Sequence, residues 1–166
     1  MGAQYQVIDN FLPTYQFKTL ESLIMTSEKF PWYFVNNTVS LENPHYNVKD
    51  FQFVHAFYSG GKITSQFFSD FESVLTLLGA TKLNRIKANL RPRTTFPRRS
   101  GYHIDYEDVT TAILYMNTNN GWTEFKKGGR VKSVANRVVI FDSNLLHSGV
   151  SCTNEKIRIV VNFNYV

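Results

Sequence analysis

Four residues in the second half of the chain have the types and spacing of a metal site with an anion-binding group beside it. His103 and Asp105 are separated by one residue, His147 follows later, and Arg158 lies further on. On a β-strand, residues two apart point to the same face, so His103 and Asp105 would present their ligand atoms together. Two imidazoles and one carboxylate form a facial set that leaves three positions of an iron ion open. The guanidinium of Arg158 could then hold the far carboxylate of a co-substrate that chelates the metal.

Each of these residues also has a plainer interpretation. A His-x-Asp tripeptide is common, and an exposed polar strand face would account for it. Zinc is the main rival metal, but structural zinc sites usually have four protein ligands that include thiolates, and Cys152 is the chain's single cysteine. Zinc-dependent hydrolysis would need a general base, for which Glu107 and Asp108 are candidates. His45 and His55 have no carboxylate at ligand spacing and are interpreted as structural or surface residues.

Two helices are predicted in the N-terminal half of the chain. Pro13 sits where a first helical turn tolerates proline, and apolar residues at helical spacing follow it, so a helix is expected to about Ser27. Segment 65–78 has the same apolar period, and Gly79 would close this second helix. Segments 5–11 and 51–58 are predicted strands, separated by an aromatic and Asn-rich stretch.

After Gly79 the chain changes to short apolar segments separated by turn signals, which indicates strands. The turn signals are Asn119-Asn120-Gly121 and Gly128-Gly129. The predicted strands are 85–90, 102–106, 110–116, 124–125, 130–133, 138–141 and 157–166. His147 is expected in a loop. Two N-terminal helices followed by about eight short antiparallel strands predict a mainly β jelly-roll barrel backed by helices, with the metal ligands at its mouth.

Arg158 lies in an otherwise apolar predicted strand. A buried guanidinium needs an anionic partner, whereas an exposed one does not. Strand alternation puts Arg158, Val160, Asn162 and Asn164 on one face and the more apolar residues on the other. The sequence leaves open which of the two faces is inside the barrel.

The composition is that of a single globular domain. The chain has 166 residues, of which 43% are hydrophobic and 19% charged, with 14 Phe and 9 Tyr, and this length suffices to bury a core. No apolar run approaches about 18 residues, so no membrane span is expected. The single cysteine rules out an internal disulfide and predicts a reducing, cytoplasmic location. The net charge of +5 mildly favours an acidic partner.

Taken jointly, the motifs resemble those of the 2-oxoglutarate- and Fe(II)-dependent oxygenases, specifically the small prolyl 4-hydroxylase-like branch. The segments that carry the resemblance are His103 to Asp105, Thr111 to Asn117, Gly121 to Phe125, Asn136 to Phe141, His147 to Val150, and Arg158. The resemblance covers most of the chain. It implies one double-stranded β-helix domain over 1–166, with N-terminal helical support at about 1–80 and the catalytic core at about 81–166.

The resemblance also implies the cofactors and the reaction. The Fe(II) ligands would be His103, Asp105 and His147. Arg158 would pair with the 5-carboxylate of the co-substrate 2-oxoglutarate, Tyr115 would reach the same carboxylate, and Asn89 would line the pocket. A dioxygenase of this kind uses O2 to hydroxylate a prime substrate, with release of succinate and CO2, and ascorbate is a candidate reductant.

Departures from the branch affect the substrate side of the site and not the iron ligands. Collagen-type prolyl hydroxylases have lysine at the position of Arg158, so this chain looks like the arginine subgroup. Gly121-Trp122 stands where a Gly-Gly pair is usual, and the bulky Trp122 would reshape the substrate mouth. Val160 stands where some relatives carry serine.

By resemblance, a proline in a peptide or protein is the default prime substrate. The alternatives are a nucleic acid or a small metabolite for an oxygenase of the same family, and a non-catalytic jelly-roll binding module. Segment 90–100 carries Arg91, Arg93, Arg98 and Arg99 just before the metal residues. It is either a basic lip that attracts an acidic ligand or nucleic acid, or an ordinary solvated loop, which we favour. The sequence does not indicate the oligomeric state.

Overall fold

The structure is a computed structural model that describes residues 5–39, 42–44 and 50–166. Within those ranges it contains two α-helices, a short 3₁₀ helix and eleven β-strands. The helices are α1 (Thr14–Thr26), the 3₁₀ helix (Phe68–Phe71) and α2 (Glu72–Leu78). The strands are β1 (Tyr5–Ile8), β2 (Tyr33–Val35), β3 (Gln52–Ser59), β4 (Lys62–Ile63), β5 (Leu83–Pro92), β6 (Thr110–Tyr115), β7 (Trp122–Phe125), β8 (Arg130–Lys132), β9 (Arg137–Asp142), β10 (His147–Val150) and β11 (Ile157–Tyr165).

The strands form two antiparallel sheets. The larger has the order β1-β9-β6-β11-β5-β3-β2, with β4 paired to β3, and the smaller has the order β10-β7-β8. An isolated antiparallel bridge joins His103 to His147, the first residue of β10, so the segment with the predicted metal ligands borders the smaller sheet. The predicted fold class, a mainly β jelly roll of the double-stranded β-helix type backed by helices, is confirmed.

Two apolar clusters hold the layers together. The larger lies between the helices and the outer face of the large sheet, where Leu20 and Ile24 of α1 pack with Val161 and Phe163 of β11. Burying each such side chain contributes about 1.5–3 kcal/mol relative to leaving it exposed. The smaller cluster joins the two sheets and includes Ile113, Tyr115, Phe125, Val131, Val139, Phe141 and Val160.

Strand β11 runs through the interior of the large sheet, between β6 and β5. Its two faces are both buried but differ in character. Ile159, Val161, Phe163 and Tyr165 belong to the core under the helices, whereas Arg158, Val160 and Asn162 line a cavity between the sheets. The polar face of this strand is therefore inside the barrel, which answers the question that the sequence left open.

The segment of His103 and Asp105 differs from its prediction. Residues 102–106 do not form a strand: beyond the bridge at His103 the chain bends from Asp105 to Val109. The reason is the lack of a pairing partner, because β10 begins at His147 and the residues before it form the turn after β9. Asp105 is therefore aimed by its own side-chain contacts and not by strand alternation.

Three further predictions need correction. The helix predicted over 65–78 is a turn, a 3₁₀ helix and then α2, because the hydroxyl of Ser65 accepts the N–H of Phe67 at 3.2 Å and holds a local turn there. The segment Asn119–Gly121 connects the two sheets and is not a hairpin turn. His147 begins β10 and does not lie in a loop.

The end of the second helix follows the prediction, since Gly79 caps α2 with a positive φ of 65°. Gly128 and Gly129, with φ of 105° and 94°, turn the chain between β7 and β8. No helix in the described ranges is long and apolar enough to cross a membrane.

Candidate metal centre and anion pocket

Three predicted ligands converge beside β10. His103, Asp105 and His147 each offer a ligand atom within 4.8 Å of the others. The bridge between His103 and His147 places the two rings 4.7 Å apart. The Nδ1 atoms of these two rings lie 3.0 Å from the backbone oxygens of Gly101 and Leu145, respectively. In neutral imidazoles these contacts place the proton on Nδ1 and leave Nε2 as the ligand atom, as in metal-binding histidines generally.

The Asp105 carboxylate is held by three side chains on two strands. Arg85 of β5 forms an ion pair with it, Nη2 to Oδ1 at 2.8 Å. Asn162 and Asn164 of β11 lie at the other oxygen, with Nδ2 to Oδ2 distances of 3.4 and 3.5 Å. Burial alone would raise the pKa of Asp105, but the charge of Arg85 and smaller contributions from the two histidines outweigh it and hold the pKa below its usual range. The carboxylate is therefore ionised near neutral pH, as a metal ligand must be.

His147 is almost fully buried. Burial first, and the neighbouring His103 second, lower the pKa of His147 to about 4. The ring is consequently neutral at physiological pH and free to donate its Nε2 lone pair to a cation. The ring of Phe141 packs against it edge-on, with centroids 4.9 Å apart, and helps to fix its orientation.

Arg158 presents a buried positive charge with no carboxylate partner among the described residues. It is 3% exposed. Its Nε donates to Ser133 Oγ at 2.9 Å and its Nη2 donates to Thr123 Oγ1 at 3.2 Å. Burial lowers the pKa of Arg158, but a guanidinium in a protein stays charged. Neutral hydroxyls orient this group without neutralising it, so the pocket favours an added anion.

One cavity, partly open to solvent, joins the two features. Its described lining consists of Thr38, Gln52, Lys87, Asn89, Arg91, Ser100, His103, Asp105, Ile113, Thr123, His147, Gly149, Arg158, Val160 and Asn162. The structure therefore brings together five of the six residues that the sequence singled out: the triad, Arg158 and Asn89. The sixth, Tyr115, stands behind the lining.

Tyr115 is fully buried and its hydroxyl donates to Thr123 Oγ1 at 2.8 Å. Thr123 in turn accepts from Arg158, and the Arg158 guanidinium lies 5.7 Å from the Tyr115 ring centroid. Burial raises the pKa of Tyr115 to about 12, so the phenol keeps its proton. In this structure Tyr115 orients Thr123, while Thr123 and Arg158 face the cavity.

Several cavity residues were missed at the sequence level. Polar side chains alternate along β5 at Arg85, Lys87, Asn89 and Arg91. Of these, only Asn89 was predicted to line the pocket, while Arg91 was assigned to the Arg-rich segment 90–100. The signal was available, because four polar side chains at a period of two within a predicted strand describe one polar face. Thr123 lies in the Gly121 to Phe125 segment that carries the resemblance, but no role was assigned to its side chain.

The residues outside the cavity have other roles. His55 is buried, with Nδ1 2.8 Å from Pro31 O and Nε2 2.7 Å from Ser65 Oγ, which agrees with its structural interpretation. His45 lies outside the described residues. Glu107 and Asp108 are exposed and do not line the cavity, so neither is in position to act as the general base of a zinc hydrolase.

The Arg-rich segment 90–100 is divided between two sites. Arg91 points into the cavity, while Arg93 and Arg98 border a separate shallow depression with Thr94, Thr95 and Phe96. Arg99 stacks on the ring of Tyr102, 4.6 Å from its centroid. A continuous basic lip over the metal site is therefore absent from the described part of this segment.

The donor set fits Fe(II) with 2-oxoglutarate. Two imidazoles and an ionised carboxylate leave open positions on a six-coordinate ion. The uncompensated Arg158 suits a carboxylate at the far end of a bound co-substrate. The single thiol is elsewhere: Cys152 is buried and donates to Glu155 O at 3.4 Å. The donor set therefore lacks the fourth, thiolate ligand expected of a structural zinc site.

The comparison with solved structures supports the fold. No protein-family model matches the sequence, and no curated protein matches it either. Among solved structures, a prolyl-4-hydroxylase from Pseudomonas putida aligns with 98% of this chain and 93% of its own, at a TM-score of 0.62 and 15% identity. A prolyl hydroxylase from Trichoplax adhaerens, in complex with a hypoxia inducible factor peptide fragment, covers 98% and 83%, with a TM-score of 0.63 and 14% identity. A 2OG-Fe(II) oxygenase family protein from Burkholderia pseudomallei covers 98% and 84%, with a TM-score of 0.65 and 11% identity. At such identities the likeness establishes a shared double-stranded β-helix fold.

Proposed function

We propose that this protein is an Fe(II)- and 2-oxoglutarate-dependent dioxygenase that hydroxylates a prime substrate. The observation that carries the proposal is the pairing of two features in one cavity. A 2-His-1-carboxylate triad, whose ligand atoms lie within 4.8 Å of one another, faces the same space as Arg158, a buried guanidinium without a described carboxylate partner. A fold shared with oxygenases of this class is the supporting context.

Each residue of the site has a distinct task in this proposal. His103, Asp105 and His147 hold the Fe(II), which with O2 and 2-oxoglutarate supplies the oxidising chemistry that yields succinate, CO2 and a hydroxylated product. Arg158 and the Thr123 hydroxyl bind the 5-carboxylate of 2-oxoglutarate. His147 and Arg158 are themselves almost fully buried, and low exposure to water strengthens the ionic contacts that they make.

On fold similarity alone, a proline residue in a peptide or protein is the candidate prime substrate, with ascorbate as the supporting reductant. The basis is the fold shared with two prolyl hydroxylases over nearly the whole chain. Substrate specificity belongs to the site and not to the fold, so the co-substrate reaction should be tested before any peptide.

The test begins with purified protein loaded anaerobically with Fe(II) and 2-oxoglutarate. We expect the weak visible charge-transfer band of the chelated pair, and succinate once oxygen is admitted. The Asp105→Asn variant should lose both signals. The Glu107→Gln variant, which changes a nearby exposed acid, should keep both. Folded wild-type protein that carries metal but shows neither band nor succinate would overturn the proposal.

A further inference from the structure

The inner face of β5 carries more positive charge than the proposed co-substrate needs. Arg85, Lys87 and Arg91 alternate along this strand with Ile86 and Ala88. The two apolar residues pack in the core under the helices, so the charged ones face the opposite way, towards the space between the sheets. Lys87 and Arg91 both line the cavity, together with Arg158, and Asp105 is its one described acidic lining residue.

The charges of the two arginines on β5 are accounted for by neighbours. Arg85 is paired with Asp105. Arg91 Nη1 donates to Ser100 Oγ at 2.7 Å and to Gly149 O at 3.0 Å, and the Asp50 carboxylate acts on it electrostatically. These contacts hold both arginine side chains in place without any added ligand.

Lys87 has no such explanation. Within residues 5–39, 42–44 and 50–166, no hydrogen bond or ion pair holds its ammonium group. The remaining residues 1–4, 40–41 and 45–49 include no Asp or Glu, so the chain has no further carboxylate to offer it. Burial, and then the charge of Arg85, lower the pKa of Lys87 to about 8, although the charge of Asp105, which is itself paired with Arg85, opposes this shift. The amine is still mostly protonated at pH 7.

The register of the large sheet puts Lys87 at the metal end of the cavity. Lys87 lies opposite Asn162 on β11, whereas Arg91 lies opposite Arg158. Asn162 contacts the metal ligand Asp105, and four residues along a strand span roughly 13 Å. The free ammonium is therefore near the reacting centre, and the co-substrate clamp is further along the strand.

The character of the surrounding wall indicates what the ammonium would bind. The described lining of the cavity includes the uncharged polar side chains of Thr38, Gln52, Asn89 and Asn162, and Asn162 is the one that lies opposite Lys87 in the sheet. The cavity's described apolar side chains are Ile113 and Val160, and the described lining includes no Phe, Tyr or Trp on which a ring could stack. Such a wall suits a small polar molecule better than the interior of an uncharged peptide.

Resting on the proposed function, we infer that the prime substrate is a small molecule with an anionic group, a carboxylate or a phosphate, which binds the Lys87 ammonium. The anion would anchor the molecule beside the metal centre, where Asn89, two residues along the same strand face, offers a further polar contact. The substrate anion would give this partly desolvated ammonium its direct ionic partner, so the contact selects for anions.

The test measures anion binding with the co-substrate site already filled. Protein is saturated with Mn(II) and 2-oxoglutarate without oxygen, and acetate or methyl phosphate is then titrated by calorimetry. We expect one saturable anion site in the wild type, and an affinity at least tenfold lower in Lys87→Gln. Lys127→Gln, a change of an exposed lysine in the β7–β8 turn, should bind like the wild type. Preference for acetate or for methyl phosphate distinguishes a carboxylate substrate from a phosphorylated one.

The outcomes separate this inference from the proposed function. Failure of 2-oxoglutarate to bind in the first step would count against the oxygenase itself. Normal 2-oxoglutarate binding with no second anion site, or with a site that Lys87→Gln leaves intact, would overturn the substrate inference alone. Tight, salt-sensitive binding of a single-stranded oligonucleotide that displaces acetate would also overturn it, in favour of a nucleic-acid substrate.

Discussion

Arg85 is the residue on which the orientation of the carboxylate ligand depends most directly. It pairs with Asp105 and is itself fixed by donating to Asn164 Oδ1 at 3.1 Å and by lying 5.3 Å from the Tyr106 ring centroid. The positive charge of Arg85 repels a cation bound nearby. It also keeps the Asp105 carboxylate ionised and holds it in its orientation. Outer contacts of this kind commonly change metal affinity about 10- to 100-fold.

We therefore expect Arg85→Gln to weaken Mn(II) binding about tenfold or more, because Asp105 would lose both its orientation and the charge that depresses its pKa. Anaerobic metal titration measures the effect. Arg137→Gln is the matched control, since it removes an ion pair to Asp9 at the surface, away from the cavity. Unchanged or tighter metal binding in Arg85→Gln would mean that repulsion of the cation outweighs the orientation of the ligand.

The lowered pKa of His147 predicts how the free energy of unfolding depends on pH. The pKa of this buried ring is lowered to about 4 from an ordinary 6.5, so between these values the unfolded chain binds a proton that the folded apo-protein does not. The free energy of unfolding should thus rise with pH from 4 to 6.5 and then level off, with His147 contributing at most about 3 kcal/mol. Urea unfolding in the presence of a chelator measures it.

The buried His55 contributes to the same slope, because burial lowers its pKa too. His147→Gln and His55→Gln should each remove part of the slope, and their effects should add, since the two rings lie in different parts of the fold. A slope in His147→Gln equal to that of the wild type would contradict the prediction.

At the scale of elements, β11 and β5 show which features of a strand can be predicted from the sequence and which cannot. Strand β11 was predicted from an apolar, β-branched run, and β5 was predicted as a short segment after the turn at Gly79. The polar face of β11 was visible as an alternation from Arg158 to Asn164. The direction of that face was not visible, because both faces of β11 are buried and local pattern carries no information about which layer covers which face. The sheet order decides it, and the sheet order is a property of distant pairings.

The segment from residue 102 to 106 shows the opposite case. The ligand spacing His103-x-Asp105 was recognised correctly as a cluster, although the strand geometry offered as its reason was wrong. The ligand atoms converge because a single bridge positions His103 and because Arg85, 20 residues earlier in sequence, holds Asp105. Residue types predicted the chemistry, whereas the supporting contacts come from a strand that lies elsewhere in the chain.

The small sheet and the residue before it approach β11 so closely that a methyl group added at Gly121 should disturb Arg158. A Cβ on Gly121, just before β7, would lie 2.8 Å from Arg158 Cδ and 2.7 Å from the backbone oxygen of Val150. A Cβ on Gly149, within β10, would lie 3.5 Å from Arg158 Nη1, an ordinary contact distance. Gly121→Ala should therefore displace Arg158 and lower 2-oxoglutarate affinity by roughly tenfold or more, at a strain cost of about 1–3 kcal/mol.

Gly149→Ala is the control, because it adds the same methyl group near the same guanidinium without the clash. Both variants should keep wild-type Mn(II) affinity, since neither glycine contacts the triad residues. Calorimetric titration of 2-oxoglutarate into the manganese-loaded proteins compares them. Equal co-substrate affinity in the two variants would show that Arg158 tolerates displacement.

At the scale of the whole molecule, the site joins the two sheets. His147 belongs to the small sheet and His103 is bridged to it, whereas Asp105 is held by strands β5 and β11 of the large sheet. Arg158 of the large sheet likewise bonds Thr123 of the small one. Ligands at this junction bind only the folded arrangement, so their binding free energy adds to the stability of the whole domain.

Metal and co-substrate should consequently raise the melting temperature in steps. At a hundredfold excess over its dissociation constant, each ligand contributes about 2.7 kcal/mol, which corresponds to a rise of roughly 5–10 °C for a domain of this size. Wild-type protein should show one step with Mn(II) and a second with 2-oxoglutarate. Arg158→Gln should keep the first step and lose most of the second, and His147→Ala should lose both. A stabilisation by 2-oxoglutarate that is independent of the metal would contradict this order, because the co-substrate is expected to contact Arg158 and the metal centre together.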